Sequence, residues 1–68
     1  MKLIDACGLA CPEPVILCRN AVAAGEFPFA IEVNDQTPKE NILRYLKNNK
    51  HSAEIENLGD IIRIIVNN

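Results

Sequence analysis

The sequence predicts an α/β fold: a two-layer sandwich of order βαβαββ, with two helices on one face of a four-stranded mixed sheet ordered 1-2-4-3. Three observations predict it. Two segments of helical periodicity each follow a short apolar stretch, as crossover units require. The chain ends in two strand-like runs joined through "NLGD". The last run, "IIRIIV", is apolar on both faces except at Arg63, which suits a central strand. Right-handed crossovers then place both helices on the same side. Sixty-eight residues make one domain spanning 1–68, whose core supplies only ~3–5 kcal/mol of net stability, so nearly all of the apolar pattern must be used.

In chain order, "KLIDA" at 2–6 is short, apolar in the middle and followed by a glycine two positions on, as for a strand feeding a turn. From Pro12 to Ala24 the period becomes helical. At ~100° per residue, Pro14, Val15, Cys18, Ala21 and Val22 share one face, with Glu13 and Asn20 opposite. Gly25 stands where a helix-ending glycine belongs. In "FPFAIEVND", Phe29, Ile31 and Val33 alternate with Ala30, Glu32 and Asn34, the period of a half-buried strand.

The segment "TPKENILRYLKNNK" opens as a capping box, with Thr37 as cap, Pro38 in the first helical position and Glu40 reaching back. Ile42, Leu43 and Leu46 face inward, while Arg44, Lys47 and Lys50 bring positive charge to the negative C-terminal end. Strands are expected at about 51–57 and 61–66. The first of these, carrying Glu54 and Glu56 on one side, suits an edge. With both helices on one face, the other face stays uncovered, and Ile61 or Ile62 and their alternates would present apolar surface there. A partner, a dimer or a neighbouring domain could cover it; scattered exposed aliphatics are the plainer alternative.

Composition excludes several function classes. Seven Lys and Arg against nine Asp and Glu provide no basic field for binding a phosphate backbone, so direct nucleic-acid binding is not expected. No apolar stretch suits a signal peptide or approaches the ~20 residues of a membrane span, which reads as a cytoplasmic chain without a membrane partner. Three cysteines are an odd number for disulfide staples, and a reducing compartment disfavours such bridges.

Cys11 is the residue that stability alone does not explain. It directly precedes proline at the predicted start of the first helix, where Ser or Asp would be better by ~0.5–1 kcal/mol or more. A sulfur there sees the positive end of the helix dipole and nearby backbone N–H groups, which favour a thiolate, the nucleophilic form. Pro12 pre-sets the first turn and Pro14 stiffens it, although the two prolines also remove two amides. Glu13 beside the sulfur opposes ionisation.

The other candidates are weaker. His51, the one histidine, has no nucleophile at a useful spacing. Cys11 and Cys18 lie ~10.5 Å apart along a helix axis, too far to share a zinc ion whose ligand sulfurs stand about 4 Å apart. Cys18 lies in the apolar stripe and suits core packing. Cys7 is four steps from Cys11, and Gly8 permits a reversal that would bring the pair within disulfide range. Cys7 is therefore either a resolving thiol or a buried thiol ending the first strand. No metal or organic cofactor is expected.

Asp5, Gly8, Cys11, Pro12 and Pro14, followed by Val15, Ile16 and Leu17, resemble the motif of the TusA/SirA/YedF family of small sulfur-carrier proteins. The resemblance covers essentially the whole chain, and the wording "GLACPEPVIL" and "PKENILRYL" is most similar to the YedF-like branch. It implies a two-layer α/β sandwich. It further implies that the cysteine matching Cys11 accepts sulfane sulfur as a persulfide from a cysteine desulfurase or rhodanese and passes it to an acceptor protein. Asp5, Gly8, Pro12 and Pro14 match supporting positions, whereas the family position matching Cys7 is not generally a cysteine. One such relay ends in thiolated uridine of transfer RNA, and some YedF-like members accompany selenium metabolism and carry a DsrE-like domain, so the chain is either a stand-alone carrier or an N-terminal domain.

Three functions follow for testing: a sulfurtransferase-type carrier acting through Cys11, a redox switch using Cys7 and Cys11, and a non-catalytic regulatory interaction domain. A carrier needs no metal or organic cofactor, and its specificity lies in docking as a monomer or weak dimer. Arg19 and the Arg44, Lys47, Lys50 group are available to steer acidic partners.

Overall fold

The computed structural model describes residues 1–68. It contains β1 (Lys2–Asp5), α1 (Glu13–Ala23), β2 (Phe29–Val33), α2 (Gln36–Asn48), β3 (Ala53–Asn57) and β4 (Ile62–Val66). The sheet runs β1-β2-β4-β3, as expected from the central character of the last strand. β1 and β2 are parallel, whereas β4 is antiparallel to both β2 and β3.

Register divides the sheet into two unlike faces. Ile4, Ile31, Ile64 and Ile55 lie in one row across all four strands. Ile31 and Ile64 are fully buried in it, with Phe29, Val33, Ile62 and Val66 beside them and Cys18, Ala21, Ile42 and Leu46 of the helices above. Each such aliphatic side chain removed from water contributes ~1.5–3 kcal/mol. Ile55, on the edge strand, stays 44% exposed.

Of the two phases expected for the open face, the odd-numbered one is turned outward. Ile62 points to the helices and is buried with Ile64 and Val66, the even-numbered residues that share the core row with Ile31. The residues turned outward are Arg63 and Ile65. Arg63 donates from Nε and Nη2 to Glu32 Oε2 (3.1 and 2.9 Å) and from Nη1 to Glu56 Oε1 (3.2 Å). Half of this face is thus a charged row, and only Leu3, Ala30 and Ile65 form an apolar one.

The helix ends follow local chemistry. α1 closes as expected at Gly25, φ +67°: the Gly25 N–H donates to the Val22 carbonyl and the Glu26 N–H to the Ala21 carbonyl, both at 3.1 Å. This paired arrangement satisfies two carbonyls at the helix end. At the start of α2 the capping box of Thr37 is not formed. Asp35 is the cap, its Oδ1 accepting the Gln36 N–H at 2.7 Å. Thr37 and Pro38 become the second and third helical residues, and Glu40 makes no return bond. Pro38 fits there because that N–H, like those before it, has no intrahelical acceptor.

Candidate functional site

The β1–α1 loop is built from the end of β1 upward. Asp5 Oδ1 accepts the Cys7 N–H at 3.0 Å, an aspartate turn closing two residues on. Gly8 adopts φ +78°, a left-handed conformation that side chains disfavour, and donates its N–H to Asn34 Oδ1 at 3.1 Å. The buried Ala6 donates to the Glu32 carbonyl at 2.9 Å. These bonds tie the loop to the end of β2, and Pro14, buried in α1, anchors its far side.

Cys11 stands exposed between these anchors. It lies one residue before the position expected: Pro12 is the helix cap, with φ −100° and no side-chain cap bond, and Pro14 is the second helical residue. The Cys11–Pro12 peptide is cis. The backbone donors expected around the sulfur are mostly spent. Pro12 and Pro14 have no N–H, Glu13 donates to the Ala10 carbonyl at 2.9 Å, and Ile16 donates to Pro12 at 3.1 Å. Val15 alone in this turn keeps an unengaged amide.

The donor that does meet the sulfur comes from α2. Asn41 Nδ2 donates to Cys11 Sγ at 3.2 Å, and Arg44 Nη1 donates to Asn41 Oδ1 at 3.4 Å. With its oxygen toward Arg44, the carboxamide presents its NH2 end to the sulfur. Reasoning from sequence missed Asn41, and its one faint signal was a poor helix former inside "ENIL" beside the core residue Ile42. Asn34, which holds Gly8, was read only as an outward strand residue.

The three thiols are free and differ sharply in environment. Cys18 is completely buried, and burial pushes its thiol up to about 11. Cys7 is half-buried, and it too is raised, first by burial, then by its hydrogen bond to Asp5 and the negative charges of Asp5 and Glu32. His51 stacks on Phe27, ring centroids 5.4 Å apart, and lies in the loop after α2 rather than in a strand. No three His, Cys, Asp or Glu side chains group so as to hold a metal ion. No helix is long and apolar enough to cross a membrane. The two surface clefts are lined by residues such as Ile4, Leu17 and Ala21, or Met1, Leu3 and Ala30, and neither includes Cys11. Cys11 is thus exposed and lines neither cleft.

No curated protein matches the chain. A crystal structure of a SirA-like protein from Desulfitobacterium hafniense is similar, with a TM-score of 0.84 and 30% sequence identity over 97% of this chain and 96% of that one. The family model described as sulfurtransferase TusA matches residues 2–68. With this match over nearly every residue and the same two-helix, four-strand architecture in the SirA-like structure, the chain belongs to the TusA/SirA family.

Proposed function

We propose that this protein is a sulfur carrier that accepts sulfane sulfur as a persulfide on Cys11 and relays it to an acceptor protein. The observation that carries the reading is the placement of Cys11: an exposed sulfur outside either cleft, on a loop pinned by Asp5 and Gly8 and backed by the buried Pro14. A site of this shape suits exchange with another protein's sulfur better than capture of a small substrate.

In loading, the Cys11 thiolate attacks the terminal sulfur of a donor persulfide. The donor's S–S bond breaks, its cysteine leaves as a thiolate, and Cys11 carries the new S–S bond. Unloading is the same exchange with an acceptor thiolate as the attacker, and sulfane sulfur moves without net oxidation. A cysteine desulfurase or rhodanese serves as donor. The acceptor fixes the pathway, whether transfer-RNA thiolation or selenium and sulfur metabolism.

A redox switch using Cys7 and Cys11 is the second reading, resting on their spacing. The environment of Cys7 favours its protonated form, so Cys7 is a poor attacking thiol at neutral pH. The test is intact-protein mass after incubation with a cysteine desulfurase, pyridoxal phosphate and cysteine. Wild type, C7S and C18S should gain one or more sulfur masses and C11S none. No sulfur gain there, together with a loss of two hydrogen masses that requires both Cys7 and Cys11 on separate treatment with a mild oxidant such as diamide, would establish the switch instead.

A further inference from the structure

The start of α1 is short of donors just where a sulfur anion forms: two of its first residues are prolines, the Glu13 amide is committed to Ala10, and only the Val15 amide is left unengaged. One polar side chain makes up the deficit. Asn41 reaches across from α2 to Cys11 Sγ, and Arg44, one turn further along α2, occupies the carboxamide oxygen so that only the NH2 end faces the sulfur. The carboxamide therefore acts as a donor with a fixed direction.

We propose that Asn41 is a catalytic residue for sulfur release, stabilising Cys11 Sγ as the leaving thiolate, and that Arg44 is the positioning residue that orients it. This rests on the carrier reading above and assigns a direction to it. In loading, Sγ begins as an anion and its charge passes into the new bond, so a donor at Sγ restrains the attack. In unloading, an acceptor attacks the terminal sulfur, the S–S bond breaks, and the electron pair returns to Sγ. A donor already at that atom stabilises the developing charge. The same hydrogen bond thus acts with opposite sign on the two half-reactions, which favours giving up sulfur over taking it.

The test measures the halves separately on the full chain. Loading uses inorganic polysulfide, followed by intact mass with peptide mapping to Cys11. Unloading uses cyanide, which attacks the terminal sulfur and leaves as thiocyanate while Cys11 returns to thiolate. Both are read on the alkaline plateau of their pH profiles, where the ionised fraction no longer matters. Asn41→Ala should slow cyanolysis about threefold and leave loading equal or faster. Asn41→Asp, whose carboxylate cannot donate, should slow cyanolysis by about tenfold. Arg44→Ala should give a smaller slowing that vanishes in the Asn41→Ala background. A general loss of structure slows both halves and does not produce this split. Cyanolysis at the wild-type rate in Asn41→Ala, or equal slowing of both halves, overturns the inference and leaves the carrier function standing. A wild-type protein that takes no sulfur on Cys11 overturns both.

Discussion

The two helices of this protein begin in opposite ways. At α2 the polar group and the amide it satisfies are neighbours: Asp35 accepts from Gln36 at 2.7 Å, and the arrangement serves the helix itself. At α1 the cap is Pro12 with no side-chain bond, and the polar side chain present, Asn41, comes from the other helix and serves a sulfur. The first start stabilises its own helix, and the second leaves an exposed sulfur in contact with the other helix. The α1 start holds its shape because the loop before it is tied to β2 and because Pro14 is buried, so local capping is replaced by tertiary anchoring.

Four measurements can break or sharpen that contrast. The largest effect is expected at Cys11: C11S should abolish sulfur gain while changing unfolding free energy in urea by less than ~0.5 kcal/mol, since the residue caps nothing. A large stability change would mean that Cys11 supports the helix after all.

Next comes Cys18, on the buried side of the same helix. Its thiol ionises near 9.0 in the unfolded chain and at about 11 in the folded one. Between those values the unfolded chain holds fewer protons, so stability should fall as pH rises, by up to ~2–3 kcal/mol at and above the folded value. C18A should flatten that slope in denaturation curves taken from pH 8 to 11, whatever its cavity costs at neutral pH.

At α2, D35A should cost about 1 kcal/mol and leave sulfur gain by mass unchanged, the mirror image of C11S. A loss of sulfur gain in D35A would join the two starts into one functional unit. The smallest effect is expected for C7S, whose rate of sulfur gain should stay within about twofold of wild type. A strong dependence on Cys7 would shift the site from one thiol to two.

Much of the fold was legible because it rests on local signals. The alternation of Phe29, Ile31 and Val33 and the stripe through Pro14, Cys18 and Ala21 report burial directly, and all six residues are buried. The choice of cap at α2 was not legible. Asn34, Asp35 and Thr37 are all cap formers within four residues, and Asn34 is drawn away by a bond to Gly8, 26 positions earlier. That leaves Asp35 as the free carboxylate beside Gln36. Pro38 fits either one or three places into the helix, so it could not decide the register. The charged row beside the apolar one on the open face was not legible for a similar reason. Arg63 was visible, but its pairing with Glu32 and Glu56 depends on strand register.

The sequence by itself determined the order of elements, the faces of the helices, the central place of the last strand and the singularity of Cys11 before a proline. These follow from periodicity and backbone preference, which act over a few residues and survive any packing. Only the tertiary structure decided what meets the sulfur. Asn41 is 30 residues from Cys11, and its reach depends on the rotation of α2, which is set by the burial of Ile42 and Leu46 against the sheet. Of the backbone donors that a helix start normally offers, the prolines and Ala10 leave only the Val15 amide free. Contact between two helices, rather than the start of one, therefore completes the site.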